Sequence, residues 1–345
     1  MLINKMLINR RTALLSTLAI PALASRAWSQ PAPDKVRLGQ PTTSLSFLKI
    51  FAARALDTFA AENIALEWAS IPGGDPAVLA AVDSGDLELA AVGSDTALAA
   101  IAKGQPFKII YTLMSKLPYD LTVSKAFLAK SGVALDAPLN KRLGVLETAV
   151  VGVSALGGAQ DRVARWLAAQ GGLNPKDVKL AVVGSPPALG AALENGRIDA
   201  FVLSPPESAI AVDKDYGAVL VRPSKEIAGS DIIPSLVLIA KSEPTPEVRA
   251  RIVRTLRAMN AASDAVAADP NKVADKITEK FFSKVSPSII RASVNALADG
   301  LGGNGRLTDE TIAALLKFST QTGGAAPQAK DFWTNGYVEA ALKKA

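Results

Sequence analysis

The chain of 345 residues contains neither cysteine nor histidine. The absence of cysteine excludes disulfide bonds, thiolate metal sites, a cysteine nucleophile and a lipid-modified N-terminal cysteine. The absence of histidine removes the side chain that most often acts as a general base and as a metal ligand. Any chemistry in this protein would therefore depend on aspartate, glutamate, lysine, serine, threonine and tyrosine.

Motifs of common enzymes are also scarce. The sequence has no Gly-x-x-x-x-Gly-Lys-Ser/Thr and no Gly-x-Ser-x-Gly. Ser46 to Lys49 matches Ser-x-x-Lys, but the companion motifs Ser-Asp-Asn and Lys-Thr-Gly are missing. We therefore predict that the protein is not an enzyme and uses no cofactor and no metal. An enzyme that works with carboxylates alone is the alternative.

The first 29 residues have the composition of an export signal. Four of the six net positive charges of the chain fall there, on Lys5, Arg10, Arg11 and Arg26. A mostly apolar run of residues 13–24 follows the paired arginines, and small residues close the segment. These are the three parts of a secretory signal peptide. We predict that residues 1–29 are cleaved and that the mature protein is periplasmic. Twin-arginine or general export, and a start at Met1 or at Met6, are both left open.

The rest of the chain carries little net charge and no long apolar run. No stretch approaches the roughly 18 apolar residues that a membrane span needs. We therefore predict no nucleic-acid partner, no stable membrane insertion and a monomeric protein. The apolar content of 49% is high enough for sizeable cores, and the length predicts two domains.

Short apolar segments alternate with helical ones along the first two thirds of this region. Val36–Gly39, Leu87–Val92, Val150–Ser154 and Ile198–Leu203 are predicted strands, with helices of about ten residues between them. This order predicts an α/β fold with mostly parallel sheets flanked by helices. Cap residues then predict four helix starts in the C-terminal third, at Thr245, Asp269, Ser286 and Thr308.

One segment of the sequence occurs twice. Residues 76–88 align with residues 187–199 at a constant offset, and each copy predicts a helix, a glycine stop and a strand with an early acidic residue. Two similar α/β lobes are the expected result. Ligands of open α/β sheets bind beyond the carboxyl ends of the strands, so the predicted site is a cleft between the lobes.

Several of these segments resemble a known family. Asp83–Glu88, Val92–Ser94, Val151–Gly158 and Leu193–Ala200 are similar, in order and spacing, to the nitrate/sulfonate/taurine family of ABC-transporter substrate-binding proteins, which includes binders of thiamine-pyrimidine precursors. The resemblance extends from about Val36 to Ala240.

The resemblance implies a two-lobed type II periplasmic-binding-protein fold. Lobe one is then predicted at residues 34–121 plus 238–345, and lobe two at residues 122–237. Two strands of such a fold join the lobes as a hinge, and Asp120–Ser124 and Ser235–Ala240 are the candidates here.

The predicted ligand site consists of residues that follow strands or begin helices. Gly157, Gly158 and Gln160 stand at a predicted helix start, where backbone N–H groups favour an anion. A tight turn, a helix cap or core packing is the structural alternative for several positions. The complete set of predicted ligand-binding residues is Thr43, Ser44, Leu45, Ser94, Asp95, Met114, Tyr119, Ser154, Leu156, Gly157, Gly158, Gln160, Ser204, Pro205 and Glu207.

The predicted function is that of an exported solute-binding protein. It would capture a small organic anion, sulfonate-like or carboxylate-like, and its partner would be an ABC-transporter permease. The helix start at Gly157 and Gly158 is the basis for the negative charge of the ligand. An aromatic or pyrimidine ligand is the alternative, and so is a ligand-sensing subunit that serves a receptor.

Overall fold

The structure is a computed structural model that describes residues 32–322, 326–327 and 331–343. The predicted export signal at residues 1–29 lies outside these residues. One compact unit, Pro33–Ala345, contains every helix and strand described below. No helix in the described part of the chain is long and apolar enough to cross a membrane.

Two five-stranded sheets form the framework. The strands are β1 (Asp34–Gln40), β2 (Ile64–Ser70), β3 (Leu89–Gly93), β4 (Phe107–Met114), β5 (Asp120–Ser124), β6 (Val150–Val153), β7 (Lys179–Val182), β8 (Ala200–Leu203), β9 (Gly217–Val221) and β10 (Leu236–Lys241). The first sheet has the order β2-β1-β3-β10-β4 and the second β7-β6-β8-β5-β9. In each sheet the fourth strand is antiparallel to its neighbours, and the pairs among the first three strands are parallel. The predicted two-lobed α/β fold is thus confirmed, with sheets that are mixed.

Helices cover both faces of the sheets. They are α1 (Leu48–Ala55), α2 (Thr58–Ala61), α3 (Asp75–Ser84), α4 (Ser94–Ala102), α5 (Lys125–Ser131), α6 (Leu139–Gly144), α7 (Ala159–Gln170), α8 (Pro186–Glu194), α9 (Glu207–Asp213), α10 (Pro223–Glu226), α11 (Pro246–Ala268), α12 (Pro270–Phe281), α13 (Pro287–Ala298), α14 (Asp309–Gln321) and α15 (Gly336–Leu342).

The predicted C-terminal helix starts agree with the structure. α11 and α12 begin directly after Thr245 and Asp269, whose side chains accept the N–H groups of Val248 and Lys272. Thr308 forms a capping box at the start of α14. Each cap satisfies backbone N–H groups that have no partner within the helix.

The repeated segment occupies equivalent places in the two sheets. The first copy forms most of α3 and leads directly into β3, the second forms most of α8 and leads directly into β8, and each strand is third in its sheet. Gly85 ends α3 at φ +87°, a conformation that glycine adopts without a steric penalty. The offset seen in the sequence therefore marks two lobes of the same topology.

Separate apolar cores lie on the faces of the two sheets. In the first sheet, one core packs against α1, α11, α12, α13 and α15, and the other packs against α3, α4 and α14. In the second sheet the corresponding cores involve α6 and α7 on one face and α8 and α9 on the other. Leu315 of α14 belongs to a core of the first sheet, whereas Phe318 belongs to a core of the second.

The chain crosses between the sheets at residues 115–119 and returns before β10. These two crossings contact each other, because Leu117 N–H donates to Ser230 O at 3.1 Å and Ser235 Oγ donates to Lys116 O at 2.5 Å. The candidate hinge strands become β5, inside the second sheet, and β10, inside the first. The predicted lobe boundaries and the hinge stay predictions.

Candidate functional site: a cleft between the two sheets

The carboxyl ends of β1, β3, β6 and β8 point to a cleft between the sheets. A small inner cavity of about 30 Å³ lies there. Its walls come from both sheets and consist of Pro41, Thr42, Ser44, Ser46, Phe47, Gly74, Asp75, Tyr119, Ser154, Ala155, Gly158, Ala159, Gln160, Leu203, Ser204 and Leu236. This volume accommodates a water molecule but not an organic ligand.

A much larger outer cavity of about 1050 Å³ adjoins the inner one. The two share Pro41, Thr42, Gly74 and Ser154 as wall residues. The outer cavity also contacts α8, α9 and the segment 281–289 between α12 and α13. Its volume is at the upper end of the range for small-molecule pockets, so it is the space in which an organic ligand fits.

Two serine side chains join loops of the two sheets across the inner cavity. The Oγ atoms of Ser44 and Ser204 are 3.0 Å apart. Ser44 is held in place because its Oγ also accepts the N–H of Ser46. Gln40 donates to Thr42 O at 2.7 Å and accepts from Trp68 Nε1 at 2.9 Å, which orders the loop after β1.

The N-terminus of α7 is occupied by a carboxylate of the protein. Asp75 Oδ2, at the start of α3, accepts the N–H of Ala159 at 3.2 Å and that of Gly93 at 3.3 Å. Within the same turn, Gly157 N–H donates to Asp161 Oδ2 at 2.7 Å. Burial raises the pKa of Asp75 to about 6, and the two N–H donors oppose the rise. The anionic ligand was predicted from open N–H groups at this helix start, and the structure places Asp75 there instead.

A second carboxylate of the first lobe pairs with an arginine of α7. Arg162 Nε and Asp95 Oδ2 are 3.0 Å apart, so the two side chains form an ion pair. Their orientation does not meet the geometry of a hydrogen bond. Asp95 is almost fully buried, and burial raises its pKa to about 7. Arg162 lowers this pKa and Asp75 raises it further. Asp95 therefore lies close to Asp75, at the contact between α4 and α7.

Glu207 lies in the wall of the outer cavity. Only 8% of its surface is exposed, and its Oε2 atom has no hydrogen-bond partner among the described residues. Burial raises the pKa of this carboxyl to about 7. Ser154 lines both cavities, and its Oγ likewise lacks a partner within the described ranges. Both side chains offer unused hydrogen-bonding capacity to a ligand.

Eight of the residues predicted for the ligand site form cavity walls. Those of the inner cavity are Ser44, Tyr119, Ser154, Gly158, Gln160 and Ser204. Thr43 and Glu207 line the outer cavity, as Ser154 also does. Their contact with a ligand stays a prediction.

The structure does not bring the other predicted residues to a cavity wall. Leu45 and Met114 are fully buried in a core of the first sheet. The Leu156 side chain is 59% exposed, and Gly157 forms the turn before α7 at φ +73°. The remaining three are Ser94, Asp95 and Pro205.

Sequence reasoning missed Asp75, Phe47 and the wall segment 281–289. Asp75 stands between Gly74 and Pro76, where its sequence context indicates only a helix start. Phe47 matches the apolar spacing of the following helix and therefore reads as core. The segment 281–289 belongs to the helical C-terminal third, which offers no local sign of a ligand. Across the described residues, no three metal-ligating side chains come together.

Two lobes of the same topology, with a cavity between the carboxyl ends of their sheets, define a periplasmic-binding-protein fold. The chain belongs to the NMT1-like family, whose family model matches residues 29–279. The predicted relation to the nitrate/sulfonate/taurine-binding proteins is confirmed by this match together with the structural neighbours described next.

Three solved structures illustrate the likeness. The ligand-binding component of an ABC-type import system from Staphylococcus aureus, with zinc bound, has a TM-score of 0.69 at 17% identity, covering 90% of this chain and 100% of that one. The nitrate-binding protein NrtA from Synechocystis PCC 6803 has a TM-score of 0.68 at 15% identity, covering 90% and 88%. The alkanesulfonate-binding protein SsuA from Xanthomonas axonopodis pv. citri, bound to MOPS, has a TM-score of 0.66 at 16% identity, covering 92% and 100%. At sequence identities of 15–17%, the similarity to these structures shows that this chain shares their fold. No match was found among the curated proteins.

Proposed function

We propose that this chain is the solute-binding component of an ABC import system. It encloses a small organic molecule between its two sheets and presents the closed form to a membrane permease. The observation that carries the proposal is the outer cavity of about 1050 Å³ between loops of both lobes. The names of the structural neighbours, a component of an ABC-type import system among them, support the same role.

The proposed mechanism is closure of the two lobes around the ligand. The lobes are connected by two crossings near Leu117 and Ser235, which contact each other and form a compact pivot. A ligand that contacts both lobes stabilises the closed arrangement over open ones. The pair Ser44 and Ser204 already joins the lobes on the inner side of the cleft.

The proposed role is binding without catalysis, in the periplasm, after removal of residues 1–29. The hydroxyl groups on the cavity walls, such as those of Ser154 and Ser204, have no histidine to activate them, because the chain contains none. The neighbours described above are named as binding proteins, and one of them as a component of an ABC-type import system, which supports this assignment.

An anionic ligand, the class that the sequence favours, would meet Asp75 at the helix start expected to hold it. The inner cavity has no lysine or arginine in its wall to compensate. The charge of the ligand is therefore a separate question from the capture of a solute.

Recovery of a bound molecule tests the proposal. The purified protein is incubated with a small-molecule extract of the cells that make it, washed and denatured, and the released molecules are identified by mass spectrometry. Ala191→Trp, in the wall of the outer cavity, should reduce recovery at least tenfold because the indole fills the space. Ala134→Trp, at an exposed position of the second lobe, should leave it unchanged. The proposal fails if nothing is enriched, or if all three proteins release the same amount.

A further inference from the structure

We infer that the site takes a small organic cation, such as an amine or an amidine, and that Glu207 binds its charged group. This inference rests on the proposed function, because it names the chemical class of the captured solute. Three observations carry it: the carboxylate at the start of α7, the charges around the inner cavity and the carboxyl in the outer cavity that has one oxygen without a donor.

The first observation is that Asp75 already provides the negative charge that the start of α7 favours. Its Oδ2 atom lies 3.2 Å from Ala159 N and 3.3 Å from Gly93 N, and the residue is 2% exposed. A carboxylate, sulfonate or nitrate entering this place would face a buried like charge, which is unfavourable where little water screens it. The helix start is therefore closed to anions by the protein itself.

The second observation is the lack of a cation in the wall of the inner cavity. The inner cavity has Asp75 in its wall but no lysine or arginine. Arg162, whose charge lowers the pKa of Asp75, has its Nε 3.0 Å from Asp95 Oδ2. Asp95 therefore compensates the positive charge of Arg162 at the contact between α4 and α7.

The third observation is the environment of Glu207. The residue is more than nine-tenths buried, it lines the outer cavity, and its Oε2 atom accepts no hydrogen bond from the described residues. A buried carboxylate oxygen without a donor is costly, and a ligand ammonium or amidinium group would supply both charge and donors. The other charged residues of this wall are exposed, and their two negative and two positive charges balance: Glu194, Asp213, Lys214 and Lys284.

The remaining walls of the outer cavity are suited to an apolar body. Proline rings are the most frequent apolar groups in the wall, and the segment between α12 and α13 adds Phe281, Phe282 and Val285. An organic cation with an apolar or aromatic skeleton would place its charged group at Glu207 and its skeleton against these rings. An inorganic cation would leave most of the 1050 Å³ without contacts.

Fractionation by charge tests the inference. A small-molecule extract of the producing cells is separated into a cation-exchange-retained fraction, an anion-exchange-retained fraction and an unretained fraction. The melting temperature of the protein is measured with each. We expect the cation-exchange fraction alone to raise it, since a ligand that binds only the folded state stabilises that state by mass action.

Two variants test whether Glu207 binds the charged group of the ligand. Glu207→Gln keeps the shape of the side chain and removes its charge, so the active fraction should bind about 10- to 100-fold more weakly, the usual effect of losing a hydrogen bond to a charged group. Glu310→Gln, at an exposed position of α14, is the matched control and should bind as the wild type does. The melting temperature of each variant without additions reports whether it is folded.

The outcomes separate the inference from the proposed function. A rise with the anion-exchange or the unretained fraction overturns the cationic ligand and leaves solute capture standing. No rise with any fraction contradicts capture itself. A rise with the cation-exchange fraction that Glu207→Gln does not weaken overturns the assignment of Glu207. The wild-type measurement decides the charge class even if Glu207→Gln does not fold.

Discussion

The carboxylate of Asp75 in the first lobe lies 3.2 Å from the backbone nitrogen of Ala159 in the second. An acidic side chain at a helix N-terminus is a common stabilising arrangement, but here the two groups belong to different lobes and are 84 residues apart in the chain. The contact places a buried negative charge at the centre of the cleft. We therefore expect it to affect both the stability of the protein and the charge of the ligand that the cleft accepts.

Replacement of Asp75 should alter the pH dependence of stability. Burial raises the pKa of Asp75 from 3.8 to about 6. The protonated carboxyl therefore favours the folded state below pH 4, and this contribution to stability is lost as the pH rises through 6. We expect Asp75→Asn to be more stable than the wild type at pH 7 by about 2 kcal/mol, because the buried charge is removed and an acceptor for Ala159 remains. Urea unfolding at pH 4 and pH 7 measures this, and the difference should shrink at pH 4.

The control is Asp83→Asn, an exposed position on the same helix. It should change the free energy of unfolding by less than about 0.5 kcal/mol at either pH. An Asp75→Asn variant that is less stable than the wild type at pH 7 would mean that the contact with Ala159 outweighs the cost of burying the charge.

The ion pair of Asp95 and Arg162 should show strong coupling. Arg162→Met leaves Asp95 buried without its cation, and such a loss costs about 3–5 kcal/mol. Asp95→Asn in the same chain removes the uncompensated charge, so the double variant should recover most of the lost stability. A double-mutant cycle by denaturant unfolding at pH 8, above the pKa of Asp95 of about 7, measures the coupling. Additive effects would show that the two side chains do not interact.

Lys49 is a buried amine, and its replacement should stabilise the protein. Its Nζ donates to Thr112 O at 3.0 Å and to Tyr111 OH at 3.3 Å, and burial lowers its pKa from 10.5 to about 7. The unfolded chain therefore binds a proton that the folded protein does not, and stability falls as the pH decreases from about 10 to 7. We expect Lys49→Met to be more stable by about 1–3 kcal/mol at pH 6, with the gain lost near pH 10.

Guanidinium unfolding of both proteins at pH 6 and pH 10 checks this prediction. Tyr111, which accepts a hydrogen bond from Lys49, Asn260, which accepts from Tyr111, and Asp264, whose charge raises the pKa of Lys49, are all retained in the variant. Lys276→Met, on an exposed face of α12, provides the comparison and should show no such pH-dependent gain. If Lys49→Met were destabilised equally at pH 6 and pH 10, the lysine would act on stability only through its hydrogen bonds.

α14 should act as a connection between the lobes. Phe318 packs against Trp166 of α7 with ring centroids 5.6 Å apart, and Trp166 Nε1 donates to Gln321 Oε1 at 2.9 Å. Phe318→Ala should cost about 3 kcal/mol and should also let the lobes separate, because it removes the aromatic contact with the second lobe. Small-angle scattering should show a larger radius of gyration for this variant.

Leu315→Ala is the matched control for this prediction. Leu315 is fully buried on the same helix but packs into a core of the first sheet. Its replacement should cost about 2–5 kcal/mol and leave the radius of gyration unchanged. An identical scattering curve for both variants and the wild type would show that α14 does not restrain the lobes.

Local patterns predicted those parts of the fold that depend on local interactions. The caps at Thr245 and Asp269 bind N–H groups three residues ahead, so the residue order contains both partners. The order of α3 and β3 is repeated in α8 and β8. Both pairs could be predicted because helices and strands have characteristic spacings of apolar residues, which residues close in the sequence determine. The two-lobed α/β architecture was predictable for the same reason.

The candidate site was predictable only in part. Ser204 and Gln160 follow strands or begin helices, and that position alone indicates the edge of a sheet. Met114 and Leu45 have similar local positions but are turned into the core, which depends on how α1 and α11 pack against the sheet. Asp75 was missed because its partner Ala159 is distant in the chain.

The sequence by itself determined the class of the molecule: two α/β lobes of one topology, built without cysteine or histidine, with polar loops at the ends of their strands. Only the tertiary structure decided the charges of the cleft. Whether a helix start is open to an anion, and whether a glutamate is exposed or buried without a donor, depends on which distant segments pack against it. Long-range packing brings Asp75 to α7 and encloses Glu207, and no local period or cap signal contains that information.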